Sequence, residues 1–369
     1  MAAPLQRYIG LMSGTSMDGI DAAILEVSPK GFKLGQHYSH NIPPALHQQL
    51  LALCAPGDNE IIRMGQADYL LGMEFATAVK KLLNISGLKP ADITAIGSHG
   101  QTIRHHPQGP SPFSLQIGNP NLITQHTGIC TVADFRSRDI AAGGQGAPLA
   151  PAFHQAAFAS PDTNRVIVNI GGMANITPLI KGQATQGFDT GPGNVLLDYW
   201  IAKNIGERYD RNGDWAASGQ VLTDLLSQMQ QDPYFALPAP KSTGREYFNS
   251  YWLEQQLDQR SDKPADVQAT LLQLTANTIA QAIQALGYPI NEVYIGGGGA
   301  HNLALMQALK LALTPYSVHS TGALGIAPDW VEAAAFAWLA QQTLNSRSGN
   351  IPAATGANSA CILGAIYPV

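Results

Sequence analysis

Residues 8–27 set two aspartates among small and hydroxyl residues between two apolar runs, with Gly10-Leu-Met-Ser-Gly-Thr-Ser-Met-Asp-Gly-Ile-Asp21 at their centre. A strand, a polar turn and a second strand of this kind suit phosphate binding. Gly10, Gly14 and Gly19 let the backbone turn and bring N–H groups to an anion, while Ser13, Thr15 and Ser16 add hydroxyl donors. The candidate phosphate contacts are Gly14, Thr15, Ser16, Met17, Asp18, Gly19, Ile20 and Asp21. Asp18 and Asp21 are also candidate ligands of magnesium, directly or through water. The alternative is an ordinary hairpin with a polar turn.

A third aspartate stands in Gly187-Phe-Asp189-Thr-Gly191-Pro-Gly193-Asn194, ahead of the helical run 195–201. An aspartate at a strand end beside a helix mouth lies where α/β sheets present catalytic groups, so Asp189 is read as a general base. Its rival role is a helix cap, which Thr190 or Asn194 could fill instead. Gly191 and Asn194 join the candidate substrate contacts. Gly191-x-Gly193 lacks the third glycine and the following acid of a dinucleotide fingerprint, so a nicotinamide cofactor is not supported.

Tyr294-Ile-Gly-Gly-Gly-Gly-Ala-His-Asn302 offers four glycines at a strand end, where a purine or its phosphates can press on backbone. Gly297, Gly298, Gly299 and Asn302 are therefore assigned to ATP, as are Gly171 and Gly172 of a second Gly-rich hairpin, 166–180. No P-loop, protein-kinase or nucleophile-elbow motif occurs. Arg136 and Arg138, on a loop beside the Gly-rich stretch 141–148, can fork onto a carboxylate or phosphate, the alternative being ion pairs with Asp134 or Asp139. Lys241-Ser-Thr-Gly-Arg-Glu246 is a weaker cationic loop. His99 and Gln101 can hydrogen-bond a sugar. Histidine metal ligation lacks the required spacing. Glu332 either points into the site or benefits from a helix N-terminus.

The elements that must position these groups alternate strand with helix, an α/β pattern. The hairpin at 166–180 echoes the one at 8–27, and Ile96-Gly97-Ser98-His99-Gly100 is echoed by Ile295-Gly296-Gly297-Gly298-Gly299, so the halves repeat one plan. We divide the chain into lobes at 1–160 and 161–369. Helices are expected at 59–84, with Ile62, Leu70, Met73 and Leu82 facing a core, and at 265–286, with Val267, Leu271, Leu274 and Leu286. Two duplicated actin-like (ribonuclease H-like) α/β lobes around an ATP cleft match this plan by pattern.

The 369 residues are 45% hydrophobic and 13% charged with net charge −5, which gives no footprint for nucleic acid or an anionic membrane. Cys54, Cys130 and Cys361 encode neither a disulfide framework nor a zinc knuckle. No signal-peptide or membrane-spanning run is evident, so a cytoplasmic protein is expected, with small-molecule partners and a homodimer left open.

Six segments, 10–21, 96–102, 143–149, 169–172, 187–194 and 241–246, together resemble the anhydro-N-acetylmuramic acid kinases over essentially the whole chain. Ser137 departs from the family pattern, which often has a third arginine there. The resemblance implies ATP, magnesium and 1,6-anhydro-N-acetylmuramic acid as reactants, N-acetylmuramic acid 6-phosphate and ADP as products, and a role in cell-wall recycling. It implies Asp189 as the base for water, Arg136 or Arg138 on the lactyl carboxylate, and His99 and Glu332 as sugar contacts. The rival readings are an ordinary hexose or amino-sugar kinase and a non-catalytic nucleotide switch.

Overall fold

The computed structural model describes residues 5–14, 16–29 and 31–369, so the expected contact at Thr15 lies outside it. In the first half, β1 (Gln6–Met12), β2 (Gly19–Ser28) and β3 (Gly31–Asn41) form an antiparallel meander. After a helix at Glu60–Ser86, β4 (Ala95–Ser98) runs parallel to β1. β5 (Gln101–His106) and β6 (Phe113–Ile117) make a separate two-stranded sheet, and β7 (Thr131–Ala133) then runs parallel to β4.

The second half repeats this. β8 (Arg165–Ile170), β9 (Met173–Leu179) and β10 (Phe188–Pro192) form an antiparallel meander; β11 (Glu292–Gly296) is parallel to β8, and β12 (Ser317–Ser320) to β11. The orders β3-β2-β1-β4-β7-β13 and β10-β9-β8-β11-β12 share one topology, the extra strand β13 (Ala365–Tyr367) pairing antiparallel with β7. Central strands of such sheets are covered on both faces, and their sequences show it. Ile9, Leu11, Val166, Val168 and Ile170 are fully buried.

The contacts divide the chain into two units: residues up to Ala157 together with Trp330–Val369, and Phe158–Asp329. The first boundary falls close to the expected 160, but residues 330–369 pack with the first sheet and not, as expected, within a lobe running from 161. The reason is local packing. The helix Val331–Leu344 is buried on nearly every side and lies directly on the backbone of β1 and β4. A Cβ at Gly10 would fall 1.7 Å from the Ala333 carbonyl oxygen, and one at Gly97 would fall 1.9 Å from that of Phe336. Gly10 is therefore a packing residue within a strand, not the turn glycine expected for phosphate.

The helix expected at 59–84 is present at Glu60–Ser86, but Ile62 and Leu70 face solvent; Ala67, Leu71, Phe75, Val79 and Leu82 form the buried stripe. In the second unit the helix Pro264–Gln284 buries Val267, Leu271 and Leu274 as expected, against Val166, Val168, Ile176 and Trp200. Among the described residues no helix is long and apolar enough to cross a membrane.

Candidate active site

In the first unit the β1–β2 turn is pinned from beneath. The buried Ser13 hydroxyl lies 2.7 Å from Gln101 Oε1 and 2.9 Å from the Gly19 carbonyl oxygen. Gln101, read as a sugar contact, is itself only 2% exposed and ties this turn to the start of β5. Met17 adopts a left-handed φ of 58° and sends its side chain into the core, where Ile20 also lies. These two offer a ligand only their backbone. The Gly14 Cβ position is open, so a ligand can approach the main chain there. Asp18 and Asp21 are half-buried; the Ser16 hydroxyl donates to Asp18 (2.6 Å) and the Ser39 hydroxyl to Asp21 (2.8 Å). Hard carboxylate oxygens steadied by hydroxyls suit magnesium carried in with nucleotide phosphates.

His99 follows β4 and is 6% exposed. Its Nδ1 lies 2.8 Å from the Gly100 carbonyl oxygen, and its Nε2 faces Arg136 Nη2 at 2.8 Å and Nε at 3.2 Å. Burial, reinforced by the Arg136 charge, lowers the imidazole pKa to about 3. His99 is thus neutral, with Nε2 as an acceptor for the guanidinium. Arg136 also donates from Nη1 to the Gly146 carbonyl at 2.6 Å. Desolvation lowers its pKa to about 10 against the favourable charges of Glu332 and Asp139, so it stays cationic at neutral pH. Of its five N–H groups some remain for a ligand. Arg138, in contrast, is exposed on the helix Phe135–Ala141.

The expected alternative partners of these arginines are engaged elsewhere. Asp134 accepts from Ser137, and buried Asp139 accepts from Gly146 N (2.7 Å), Asn350 (2.6 Å) and Thr355 (2.8 Å), holding the glycine-rich loop in place. Glu332 is accessible to solvent at its helix's first turn, yet has enough protein around it for desolvation to raise its carboxyl above the usual range. Asp21 adds to the rise and Arg136 opposes it. Beside His99 a cavity of about 270 Å³ is lined by Asp68, Ser98, Gln116, Asp134 and Tyr367; the Ser98 hydroxyl is buried without a hydrogen-bond partner among the described residues.

In the second unit Asp189 lies within the edge strand β10, well before the helix Val195–Ile205, which removes the capping role. A strap from 234 to 243 supplies the hydrogen bonds that an edge strand lacks. Asp189 N donates to the Lys241 carbonyl (2.9 Å), the Tyr234 hydroxyl donates to the Asp189 carbonyl (2.8 Å), and Thr243 N donates to Asp189 Oδ2 (2.9 Å). Lys241 Nζ closes the strap by donating to the carbonyls of Tyr234 and Phe235. Burial raises the Asp189 carboxyl to about 6; the Thr243 amide opposes this and the Glu246 charge adds to it. A half-buried carboxylate with a pKa near 6 is suited to taking a proton near neutrality.

Gly191 is buried at a φ of 144°, where a Cβ would meet the Phe235 ring at 2.7 Å. Its place is a β-bulge next to Asp189, and the Phe235 ring accounts for the glycine there. The carbonyls of Gly171 and Gly172 accept from the N–H groups of Gly193, Asn194 and Val195 at 2.8–3.1 Å, so this turn caps the helix behind Asp189. Gly297 and Gly299 are required by contact with Asn169 and Ile170 on β8, whereas a Cβ at Gly298 would make only ordinary contact, 3.8 Å from Asn194 Nδ2. Asn302 caps the helix Leu303–Ala312 through Leu305 N (2.9 Å).

Gly298, Asn302 and Asn194 line a cavity of about 610 Å³ together with Asp198, Tyr209 and Asp210. Burial raises Asp198 to about 6, with Arg245 opposing and Asp210 adding. Sequence reasoning missed Asp198, Tyr209 and Tyr234, and named Thr243 only within the cationic loop 241–246. The only signal was compositional: Tyr209-Asp-Arg-Asn-Gly213 is an aromatic turn segment of the type that lines ligand sites.

The family model described as anhydro-N-acetylmuramic acid kinase matches residues 6–369. A relative of that name from Coxiella burnetii (strain Dugway 5J108-111) is 50% identical over 366 residues, 99% of this chain and 98% of its own. Another, from Pasteurella multocida (strain Pm70), is 48% identical over 363 residues, 98% and 96% of the two chains. Among solved structures, a Clostridium difficile activator of 2-hydroxyisocaproyl-CoA dehydratase with bound ADPNP aligns over 92% of this chain and 97% of its own at 16% identity and a TM-score of 0.42. A Streptomyces griseus ROK family glucokinase in complex with glucose and AMPPNP aligns over 91% and 99%, at 13% identity and a TM-score of 0.38.

Proposed function

The chain belongs to the anhydro-N-acetylmuramic acid kinase family, and from that premise we propose that it opens 1,6-anhydro-N-acetylmuramic acid with water and phosphorylates O6 from ATP. The products are N-acetylmuramic acid 6-phosphate and ADP. Such an enzyme serves peptidoglycan recycling and amino-sugar catabolism in the cytoplasm.

The reaction balances with a single base. The water oxygen bonds to the anomeric carbon, the bond from that carbon to O6 breaks with its electron pair going to O6, and O6 takes the γ-phosphoryl group as the bond from its phosphorus to the bridging oxygen breaks with its electron pair going to ADP. Water's proton goes to Asp189. No separate acid is needed, because the leaving oxygen is itself the phosphoryl acceptor. The observation that carries this reading is Asp189, whose pKa of about 6 and firmly strapped backbone suit a base that must be ionised, placed and still basic at neutral pH.

The remaining roles follow from the chemistry of each group. Backbone at Gly14 and Ser16–Ile20 would approach the phosphates, and Asp18 and Asp21 would hold magnesium. That ion, when bound, neutralises charge on the transferring phosphoryl group. The 610 Å³ cavity at Gly298 and Asn302 suits the nucleoside. Arg136, cationic and anchored by neutral His99, suits the lactyl carboxylate.

The test is ADP release with 1,6-anhydro-N-acetylmuramic acid, N-acetylmuramic acid and N-acetylglucosamine, in ¹⁸O water. Turnover confined to the anhydro-sugar, with ¹⁸O at the anomeric position, is expected. Equal turnover on the open sugars without label would replace the reading with an ordinary amino-sugar kinase.

A further inference from the structure

The loop Lys241-Ser-Thr-Gly-Arg-Glu246 carries two cations, and the fold uses them differently. Lys241 is engaged within the protein: its Nζ donates to the carbonyls of Tyr234 and Phe235 at 3.1 and 3.0 Å and lies 4.7 Å from the Tyr234 ring centroid. Arg245 is exposed, and its guanidinium donates to none of the described residues. Neither Glu246, next in the chain, nor Asp198, whose raised pKa its charge opposes, forms an ion pair with it among those residues. All five of its N–H donors are open to a ligand.

Placement separates Arg245 from an ordinary solvated arginine. Its backbone is pinned on both sides: the Gly244 carbonyl accepts from Tyr247 N (3.1 Å) and Phe248 N (3.0 Å), and the Glu246 carbonyl from Asn249 Nδ2 (3.1 Å). The Phe248 ring behind this loop is fully buried. The side chain lies over the β8–β9 turn, where a Cβ at Gly172 would stand 3.7 Å from Arg245 Nη2, 3.8 Å from its Nε and 4.0 Å from Val195 Cβ. At Gly171 a Cβ would meet only the Met173 carbonyl oxygen, at 3.8 Å. The turn therefore leaves its backbone open to a ligand, with a guanidinium as the charged group beside it. This turn is the second unit's counterpart of the β1–β2 turn. Two residues before Arg245, the Thr243 amide holds Asp189, and the Arg245 charge acts on Asp198 in the wall of the 610 Å³ cavity. One cation thus neighbours both the base and the nucleoside cavity, and the part of ATP that belongs beside it is the phosphate chain.

We propose that Arg245 binds the β- and γ-phosphates of ATP over the β8–β9 turn and neutralises charge on the transferring group. The proposal rests on the reading of the chain as an ATP-dependent anhydro-sugar kinase. A guanidinium forks onto two phosphate oxygens at once, which fixes orientation as well as charge. Negative charge spreads over the γ-phosphoryl oxygens during transfer, so a cation held there favours the transition state over the ground state. Arg245 exchanges no proton. The bond from O6 to phosphorus forms and the bond from phosphorus to the ADP oxygen breaks with the guanidinium charged throughout.

Arg245→Ala and Arg245→Lys, each in the full chain, test this by calorimetric titration with a non-hydrolysable ATP analogue and with AMP, which lacks both phosphates. In Arg245→Ala the analogue should bind about tenfold or more weakly, the loss of a charge-assisted contact, while AMP stays within about twofold of wild type. In the same variant kcat should fall by about a hundredfold or more with KM for the anhydro-sugar kept. Arg245→Lys keeps the charge without the fork and should fall between alanine and wild type. The melting temperature should stay near wild type, because an exposed guanidinium gives up no protein hydrogen bond. Unchanged analogue binding and kcat in Arg245→Ala overturn the proposal. So does an equal loss for the analogue and AMP, which would place the residue at the nucleoside, and so does a raised KM for the sugar alone, which would place it on the lactyl carboxylate. Absence of anhydro-sugar turnover in the parent enzyme would instead sink the reading of the substrate, while the two titrations still decide what Arg245 binds.

Discussion

Asp189 is half-buried on an edge strand, and its carboxyl is raised to about 6 chiefly by desolvation. Replacing it with asparagine keeps the shape and removes the base, so kcat should fall by about 10²–10⁴-fold while KM for ATP is kept. Steady-state kinetics with ATP varied at saturating sugar would show this, and a variant retaining a tenth of wild-type turnover would exclude the role. The same group sets two pH dependences. For activity, kcat/KM should rise with pH through about 6 as the base ionises. For stability the sign is opposite: a carboxyl raised above its unfolded value of about 3.9 binds a proton more tightly when folded, so its stabilising contribution is lost as pH rises through about 6. Asp189→Asn should therefore raise the melting temperature relative to wild type more at pH 8 than at pH 4; thermal melts at the two pH values check it. The arginines divide in the same way, by burial. Arg136→Lys, which cannot fork between His99, Gly146 and a carboxylate, should raise KM for the sugar about tenfold or more. Arg138→Ala should change it by about twofold at most, as for an exposed side chain away from a buried network. The placement of Asp189 on a strand among glycines was legible because these are local signals. The choice between Arg136 and Arg138 was not: they are two residues apart on one short helix, and only the fold decides which reaches His99. Tyr234 left no local signal, and Thr243 showed only as part of the cationic loop 241–246, since they act on Asp189 from 45 and 54 residues away.

At the scale of elements, both hairpins and the repeated strand order were readable from apolar runs and Gly-rich turns. What each glycine does was less so. Gly14 leaves backbone open, as a phosphate turn needs, whereas Gly10, Gly97, Gly297 and Gly299 make room for neighbouring backbone or side chains. A glycine's sequence context is the same in either case, because the atom it avoids belongs to a distant segment. Alanine at Gly10 or Gly97 would drive a methyl into the carbonyl of Ala333 or Phe336, and the helix Val331–Leu344 cannot retreat without losing its buried face. Each substitution should destabilise by about 3 kcal/mol, the upper end for overpacking. Alanine at Gly14, with nothing within 4 Å, should leave the melting temperature near wild type. Differential scanning calorimetry of the three variants distinguishes packing glycines from the turn glycine. The helix Glu60–Ser86 teaches the complementary lesson. Its period was legible, but Ile62 and Leu70 lie on its wet side, since periodicity gives the spacing of a stripe and not which of two overlapping stripes meets the sheet.

For the whole molecule, the duplicated plan was visible in the sequence, but the return of the chain after 330 to its first sheet was not. The helix Val331–Leu344 is alanine-rich and buried on nearly every side, so nothing in its own residues says which sheet it joins. The complementary mark lies more than 200 residues earlier, in the two glycines that leave β1 and β4 bare, and only the pair makes sense of either. The consequence is an asymmetry in autonomy. The second unit, Phe158–Asp329, is continuous and holds its own five-stranded sheet and a core built on the helix Pro264–Gln284. The first unit needs both ends of the chain: without residues 330–369 it would expose the β1 and β4 faces that this helix covers and lose β13 from the edge of its sheet. A fragment of residues 158–329 should therefore unfold as one cooperative transition when denaturant is added, as expected of a domain of this size with its own core. A fragment of residues 1–157 should not, and mixing in or fusing residues 330–369 should restore its transition. Circular dichroism melts of the three preparations decide it: a cooperative transition in the 1–157 fragment alone would show that the C-terminal helix is an accessory to that sheet and not part of its core.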